Sequence, residues 1–319
     1  MCGIVGFVGR GKRDELDRMV AQLTHRWPDS GGVYVDKETD VYLGHRRLEV
    51  LDIAEGHQPM KISNNKFVIT YNGEIYNAAL LRKELTECGH QFITNHSDTE
   101  ILLHGYIEWG HDLVTRLNGM WAFAIYDKEK KILFLSRDRF GQKPLFYTLQ
   151  DGIFAFSSEL KTFLLHKSLS ISLSNIGLQK YCAHGYFPGD HTPYKEISKL
   201  TGGCNLFFKI DEMSLKIERY WSYNIEPNHG ESKAIENKWA EEIQFLLEKS
   251  VSRRLVSDVP LGLFLSGGLD STIIGYFANR HLPPGKLKTF SIGFEDHTFD
   301  ESNWALHAAK FLGTQHSVT

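Results

Sequence analysis

The hydrophobic pattern of the chain changes once, near residue 210, and this change determines how many folding units we expect. Before it, short half-buried apolar runs are bounded by Gly and Asn-Gly pairs, which is typical of antiparallel strands. After it, continuous apolar runs at 261–265 and 289–294 flank a glycine loop and a helix, which indicates buried parallel strands in a βαβ unit. A length of 319 residues also exceeds the usual size of one domain. We therefore expect two domains.

The first domain is expected at residues 2–210 as an α+β layered domain, because apolar helical stripes interleave with the strands. One such stripe is Leu16, Met19, Val20 and Leu23. The strands are expected at 4–8, 41–45, 67–71, 120–126, 132–136 and 153–156. A polar, turn-rich stretch predicts a linker at 211–232, and the second domain follows at 233–319 with a helix near 236–255. Since the chain ends before a doubly wound sheet could be completed, we expect the second domain to be incomplete.

Composition excludes several classes of partner. The formal net charge is -3, with acidic and basic residues interspersed, so neither nucleic acid nor an anionic membrane surface is indicated. The longest clean apolar run, 120–126, is far shorter than the ~20 residues that span a bilayer. Only four cysteines occur, without a C-x-x-C pair, which argues for the cytoplasm and against a zinc site. A homodimer stays open, because the sequence does not set the oligomeric state.

Cys2 precedes Gly3 and the apolar run 4–8. Removal of Met1 would place a nucleophilic thiol and a free α-amine on one residue. Because the amine titrates near ~8 and the thiol near ~8.5, the amine can accept the thiol proton without a histidine. Taken alone, an idle cysteine is the favoured interpretation, since free Cys often acts only as a small hydrophobic residue.

A glycine loop lies between the apolar run 261–265 and the helix that follows it. Its six residues are Ser266, Gly267, Gly268, Leu269, Asp270 and Ser271. Adjacent glycines let backbone N–H groups approach an anion, and the helix N-terminus adds a positive dipole. Asp270 can hold Mg²⁺ against phosphate oxygens while the serines donate hydroxyls, so the pattern predicts a phosphate site, with a capped turn as the alternative. The run 6–13 departs from a Walker loop at Arg13, and a turn after the first strand is expected there instead.

Two polar motifs have both a structural and a chemical interpretation. The Asn72-Gly73 pair is by default a tight turn, yet the Asn72 amide and the Gly73 N–H could also form an oxyanion hole. Ser97 and Glu100 have the spacing of a capping box at a helix start. Asp98, between them, either complements the helix dipole or binds a ligand ammonium.

Two basic motifs are equally open. The adjacent Arg46 and Arg47 have two interpretations. Either one of them binds a carboxylate through its guanidinium, or both are solvated. The segment 137–145 has the composition of a charged turn with Gly and Pro. No chemistry follows from that segment alone.

Together these motifs resemble the glutamine-hydrolysing asparagine synthetase family. The matching segments are 1–4, 25–29, 45–48, 58–60, 72–77, 97–100, 118–124, 137–145, 157–159 and 266–271. That family joins a class II glutamine amidotransferase domain to an ATP-pyrophosphatase-type synthetase domain. The resemblance implies an α+β N-terminal-nucleophile αββα sandwich with antiparallel sheets, followed by the start of an α/β parallel-sheet adenine-nucleotide-binding domain.

The resemblance also implies roles in the first domain. Cys2 would attack the side-chain amide of glutamine with its own α-amine as base, and Asn72 and Gly73 would stabilise the oxyanion. Arg47 would hold the glutamine carboxylate, while Glu74 and Asp98 would orient its amino end. The complete glutamine-binding set would be Arg47, Leu48, Glu49, Val50, Leu51, Asn72, Gly73, Glu74 and Asp98.

In the second domain the resemblance implies an ATP-dependent ligase. Ammonia would pass through an internal channel to aspartate activated as β-aspartyl-AMP, giving asparagine, AMP and pyrophosphate. ATP and pyrophosphate would contact Phe264, Ser266, Gly267, Gly268, Leu269, Asp270, Ser271 and Ile292, with Mg²⁺ at Asp270. The expected substrates are glutamine, aspartate and ATP.

Two departures from the family keep alternatives open. The first is Trp27, which stands where the family usually has glycine, so a bulky indole would reshape the glutamine pocket. The second is that the family's later acidic and lysine motifs have no counterpart in these residues. The alternatives are a paralogous amidotransferase acting on a sugar acid or peptide carboxylate, or a glutaminase-only or non-catalytic glutamine-binding fragment. A sugar-phosphate or phosphoribosyl amidotransferase is disfavoured, because it does not use the loop at 266–271.

Overall fold

The computed structural model describes residues 2–26, 30–48, 52, 55–227, 233–296 and 298–319. The chain separates into two compact units, Met1–Asn224 and Ile225–Thr319. The strand Ser214–Arg219 lies inside the segment 211–232 that was predicted as a linker, yet it belongs to the first unit. The domain boundaries stay a prediction.

The first unit consists mainly of short strands, as its sequence pattern predicts. Its strands in the described residues are β1 (Gly3–Gly9), β2 (Ser30–Asp36), β3 (Val41–Arg47), β4 (Met60–Ile62), β5 (Phe67–Ile75), β6 (Gly119–Asp127), β7 (Ile132–Arg137), β8 (Phe146–Gln150), β9 (Ile153–Ser157), β10 (Ser198–Lys199), β11 (Cys204–Lys209) and β12 (Ser214–Arg219). Its helices there are α1 (Arg13–Ala21), α2 (Ala78–Glu87), α3 (Asp98–Trp109), α4 (Leu113–Arg116) and α5 (Asn175–His184), with 3₁₀ turns at Gly110–Asp112 and Leu160–Leu165. Each strand expected from the sequence is confirmed.

These strands form two antiparallel sheets. The first has the order β10-β8-β9-β1-β3-β2 and the second the order β12-β11-β7-β6-β5-β4. In the first sheet, Gly3 at the start of β1 pairs with Arg46 near the end of β3. The beginning of β1 and the end of β3 therefore lie at the same edge of the sandwich.

Strand alternation divides the apolar side chains between two faces. In β1, Ile4 points into the core between the sheets, while Val5 packs toward α1. In β5, Val68 points into the core between the sheets, while Ile69 belongs to the layer formed with α2 and α3. Since each buried aliphatic side chain contributes about 1.5–3 kcal/mol, both faces of both sheets stabilise the unit. The resulting layers are helix, sheet, sheet and helices, and the predicted αββα sandwich is confirmed.

The second unit contains a small parallel sheet. Its elements in the described residues are α6 (Lys233–Arg253), β13 (Gly262–Phe264), α7 (Leu269–His281), β14 (Lys288–Ser291), α8 (Ser302–Leu312) and β15 (Gln315–Val318). The strands are parallel in the order β13-β14-β15, as predicted.

The prediction that these parallel strands are buried on both faces is wrong for the described residues. Leu263 packs with α6 and α7, and Leu265 packs with α8. Phe264, which points the other way, is 77% exposed, and its neighbour in register, Phe290, is 38% exposed. The reason is that the described helices pack against only one face of this sheet.

The described helices and cysteines have two further properties. No described helix has the length and apolar character needed to cross a membrane. All four cysteines, which lie at positions 2, 88, 182 and 204, are free thiols.

Candidate active site

At one edge of the sandwich, the inward faces of three strands change from apolar to polar. Cys2 precedes β1 on the same face as Ile4, and Arg47 ends β3 on the same face as Leu43. Asn72 occupies an inward position near the end of β5. The two-residue period of the strands thus places a thiol, a guanidinium and an amide where the apolar core ends.

These side chains line one cavity of about 130 Å³. The lining residues are Cys2, Arg47, Leu48, Gly56, Gln58, Tyr71, Asn72, Gly73, Glu74, Ser97, Asp98, Thr99, Met120 and Lys143. The structure therefore brings together seven residues that the sequence analysis singled out: Cys2, Arg47, Leu48, Asn72, Gly73, Glu74 and Asp98. The other members of the predicted glutamine set, Glu49, Val50 and Leu51, lie outside the described residues, as does Trp27.

Cys2 is held by contacts on both its side chain and its backbone. Its Sγ accepts a hydrogen bond from the Leu48 N–H at 3.2 Å. Its carbonyl accepts one from Arg26 Nε at 3.1 Å, and Arg26 is in turn bound to Glu159 at 3.0 Å. Burial raises the pKa of the Cys2 thiol, although the Leu48 N–H acts in the opposite direction. A base is therefore needed to ionise this thiol near neutral pH.

Asn72 and Gly73 lie inside β5, opposite Ala122 and Trp121 of β6, so the default prediction of a tight turn here is wrong. The physical reason is the ladder with β6, which continues to Ile75 and keeps the segment extended. The side-chain nitrogen of Asn72 is buried and has no hydrogen-bond partner among the described residues. A donor left unpaired in this way costs about 1–3 kcal/mol, and it is available to a ligand in the cavity.

Gly73 has no room for a side chain. A Cβ at this position would lie 2.2 Å from the carbonyl oxygen of Met120 and 2.5 Å from Cε2 of Tyr71. The glycine lets the backbone of β5 form the cavity wall directly. Backbone groups can approach a bound molecule closely at such a position.

Asp98 is the first residue of α3 and is buried in the cavity wall. Its carboxylate accepts hydrogen bonds from the Tyr71 hydroxyl at 2.9 Å and from the Ile75 N–H at 3.1 Å. Burial raises the pKa of this carboxyl, and both hydrogen bonds act against that rise. A ligand ammonium would stabilise the charged form further.

Ser97 is the N-cap residue of α3, as predicted, but the capping box expected there is wrong. The Ser97 side chain makes no capping hydrogen bond, although its backbone has the extended conformation of an N-cap. Glu100 instead accepts hydrogen bonds from the backbone N–H groups of Ile93 at 2.8 Å and Thr94 at 2.9 Å. Glu100 is thus used to fix the preceding loop, which leaves Ser97 in the cavity wall.

Arg47 is 4% exposed, and its guanidinium forms part of the cavity wall. Its Nη2 donates to the carbonyl of Asp52 at 2.6 Å. A Cβ on Gly56 would lie 2.3 Å from the same nitrogen, so the backbone at Gly56 packs directly against the guanidinium. A fixed, buried guanidinium of this kind suits a carboxylate ligand.

Sequence reasoning gave no site role to six of the lining side chains. They are Gln58, Tyr71, Ser97, Thr99, Met120 and Lys143. Each lies in or beside a segment that matches the family, and that match is the signal that could have identified it. Their proximity to Cys2 depends on packing between distant segments.

In the second unit, the predicted phosphate loop connects β13 to α7. Gly267 has φ +83°, and a Cβ there would lie 2.3 Å from the backbone carbon of Trp304. The hydroxyls of Ser266 and Ser271 are 3.1 Å apart. The loop therefore presents two hydroxyls and the N-terminus of a 13-residue helix at one point.

The exposed Asp270 carboxylate lies in the first turn of α7. In the described part of the chain, no group of three or more His, Cys, Asp or Glu residues could hold a metal ion. Asp270 nevertheless fits Mg²⁺, because this ion commonly takes one carboxylate and completes its shell with phosphate oxygens and water. Phe264 and Ile292, predicted to contact the nucleotide, are 77% and 60% exposed.

Comparisons with known proteins match both units. Residues 1–221 match the family model described as a glutamine amidotransferase domain, and residues 242–319 match the model described as asparagine synthase. Similar proteins include asparagine synthetase (glutamine-hydrolyzing) 3 of Bacillus subtilis, which is 39% identical over 99% of this chain and 53% of its own length. Asparagine synthetase (glutamine-hydrolyzing) 3 of Arabidopsis thaliana is 32% identical over 99% of this chain and 50% of its own. The chain spans about half the length of these two relatives.

Two solved structures share the fold. One, the allosteric regulatory enzyme of purine biosynthesis, aligns with a TM-score of 0.53 and 18% identity over 99% of this chain and 80% of its own. The other is the glutamine phosphoribosylpyrophosphate amidotransferase of B. subtilis, with a TM-score of 0.50 and 17% identity over 99% of this chain and 81% of its own. At this identity they show the fold alone. The resemblance to glutamine-hydrolysing asparagine synthetases rests on the sequence relatives and is confirmed by them.

Proposed function

The chain belongs to the glutamine amidotransferase domain family, and from this membership we propose that its Cys2 cavity hydrolyses glutamine to glutamate and ammonia. One observation carries the proposal: a thiol and an unpaired buried amide donor line the same cavity. Acyl transfer needs both groups, a nucleophile and donors that wait for an oxyanion.

The reaction uses groups that this cavity contains. After removal of Met1, the α-amine of Cys2 takes the Sγ proton, and Sγ forms a bond to the amide carbon of glutamine. Asn72 Nδ2 and the Gly73 N–H donate to the oxyanion. When the C–N bond breaks, the α-ammonium of Cys2 returns its proton to the amide nitrogen of glutamine, which departs as ammonia. Water then attacks the thioester with the same amine as base, which releases glutamate and restores the thiol.

Glutamine is oriented by charges at its other end. Arg47 holds the α-carboxylate, Glu74 and Asp98 hold the α-ammonium, and Leu48 lines the same pocket. In support of this arrangement, Arg47, Glu74 and Asp98 all line the cavity. A bidentate guanidinium and two carboxylates match the two charges of an amino acid.

We further propose that residues 233–319 are the N-terminal part of a synthetase domain that activates aspartate with ATP through β-aspartyl-AMP, so that ammonia yields asparagine, AMP and pyrophosphate. The loop 266–271 would hold the phosphates with Mg²⁺ at Asp270, and the exposed Phe264 and Ile292 would contact the nucleotide. The names of the relatives support this product. The free thiols support the cytoplasm as its compartment.

The test is covalent labelling of the full chain. After incubation with an electrophilic glutamine analogue, mass spectrometry should find a chain without Met1 that carries one adduct on Cys2, and Cys2→Ala should lose both the adduct and ammonia release. Cys182→Ala, which removes an exposed thiol, is the matched control and should keep both. Ammonia release that persists in Cys2→Ala would refute the proposal.

A further inference from the structure

The segment 137–145, for which the sequence suggested no chemistry, folds into a loop that is fixed from within. The guanidinium of Arg137 donates to the carbonyl oxygens of Lys143 and Gly141, both at 2.6 Å, and to that of Leu200. The carboxylate of Asp138, which is fully buried, accepts from four backbone N–H groups. The donors are Trp121, Phe140, Gln142 and Lys143. Arg137 and Asp138 therefore serve to shape the loop.

The loop delivers Lys143 to the Cys2 cavity. Lys143 is 4% exposed and lines the cavity, and its backbone is held on both sides, because its N–H donates to Asp138 at 3.0 Å and its carbonyl accepts from Arg137. Cys2 and Glu74 line the same cavity as Lys143. Burying an ammonium in this way is costly, so a compensating interaction at the site is expected.

The charges facing Lys143 identify that interaction. Burial lowers the pKa of Lys143, and the positive charge of Arg26 lowers it further. The negative charges of Cys2, Glu74 and Asp138 raise this pKa, and that of Cys2 has the largest effect of the three. Interaction between two titrating groups is reciprocal. An ionised Cys2 thus favours the ammonium, and the ammonium favours the thiolate to the same extent.

The groups near Cys2 act on the pKa of its thiol in both directions. Burial raises this pKa and the Asp98 carboxylate raises it further, while the Leu48 N–H, the N-terminal ammonium of the chain and the Arg47 guanidinium lower it. In the proposed function the α-amine must be neutral before it accepts the thiol proton. In the proposed function, Arg47 is engaged by the glutamine carboxylate once substrate is bound. Lys143 remains as a cation of the cavity wall that the substrate does not use.

We propose that Lys143 is an electrostatic residue of this site, whose ammonium stabilises the Cys2 thiolate and the negative charge that develops when the sulfur attacks glutamine. The inference deepens the proposed glutaminase function and rests on it. Lys143 forms no covalent bond and transfers no proton. It acts as a positive charge whose backbone is held in place in the cavity wall.

The test is the pH dependence of Cys2 alkylation in the full chain with Met1 removed. Iodoacetamide labelling of the Cys2 peptide is followed by mass spectrometry between about pH 6 and 10, a range that spans the ordinary thiol pKa. Lys143→Met should shift the apparent pKa of Cys2 upward by about 1 unit, as expected for the loss of a nearby opposite charge. Lys143→Arg should keep the wild-type profile, because it restores the charge.

Lys66→Met is the matched control. Lys66 comes directly before β5, at the end of that strand away from the cavity, and its 52% exposed side chain pairs with Glu129. Its Cys2 profile should equal that of the wild type. If Lys143→Met raises the KM for glutamine but leaves the Cys2 profile unchanged, Lys143 only neutralises Glu74 and the proposal is overturned. Should Lys143→Met fail to fold, Lys143→Gln supplies the neutral variant, and an unchanged profile there has the same meaning.

The labelling does not depend on turnover. If the wild-type chain releases no ammonia from glutamine, the proposed hydrolysis fails, while the alkylation profiles still report whether Lys143 acts on the thiol. The two failures are therefore distinguishable.

Discussion

Asn72 has a side-chain donor that the described residues leave unpaired and that is available to a ligand. It is 1% exposed, yet its Nδ2 has no hydrogen-bond partner among the described residues. Folding normally pairs such a donor, since leaving it unpaired costs free energy. Gly73 next to it has no space for a Cβ, because the Met120 carbonyl oxygen of β6 would lie 2.2 Å away, so packing between the strands fixes the residue that follows this unpaired donor.

From this we predict that Asn72→Ala lowers kcat for ammonia release from glutamine by about 10²–10³-fold, the usual loss when one oxyanion donor is removed. Cys2 alkylation should continue, because the thiol and its base are unchanged. Asn205→Ala is the matched control: Asn205 is also buried with an unpaired side-chain atom, but it does not line the cavity. Equal kcat for Asn72→Ala and wild type would contradict the oxyanion role.

At the scale of elements, the site depends on two strands from different sheets. Facing sheets in a sandwich pack about 10 Å apart, which is too far for backbone contact. Here side chains span the gap, because Thr70 donates to the carbonyl of Gly44 at 3.1 Å and His45 Nε2 bonds to the carbonyl of Tyr71 at 2.9 Å. The Tyr71 carbonyl precedes Asn72, so His45 links the β3 wall of the cavity to the β5 wall.

His45 should also make stability depend on pH. Burial lowers its pKa to about 3, from an ordinary value of 6.5, so protonation favours the unfolded chain. Its contribution to stability is complete above pH 6.5 and declines as the pH falls toward 3, by about 2 kcal/mol at pH 5. We predict that His45→Gln, whose amide can still donate to Tyr71, loses less stability than wild type between about pH 6.5 and 5.

Urea denaturation at each pH measures this difference. His111→Gln, which changes a histidine with a 58% exposed side chain, should follow the wild-type curve. Parallel curves for wild type and His45→Gln would show that His45 is not held neutral by burial.

At the scale of the whole molecule, the residues of the two proposed half-reactions lie in different units. All residues that line the Cys2 cavity come from the first unit, between positions 2 and 143. The loop 266–271 lies in the second unit, beside an exposed apolar sheet face. Each proposed half-reaction therefore has its own residues to test.

For the second unit we predict that Asp270→Asn weakens binding of magnesium ATP by about tenfold, equivalent to about 1.4 kcal/mol, because the ion loses a charged ligand. Isothermal titration calorimetry on the full chain measures the affinity. Asp296→Asn, an exposed aspartate in the same unit that bonds to Thr298, should bind as wild type does. Equal affinity for Asp270→Asn and wild type would remove Asp270 as the metal ligand.

Local patterns were sufficient to predict six of the twelve described strands of the first unit, the α1 stripe, the parallel βαβ unit and the loop at 266–271, because each depends on backbone periodicity or on turn chemistry within a few residues. Only tertiary packing decided that Asn72 and Gly73 lie in a strand, that Glu100 fixes a loop rather than a cap, and that Lys143 faces Cys2. Lys143 and Cys2 are far apart in sequence. Their meeting depends on how two sheets pack, and no local pattern encodes that packing.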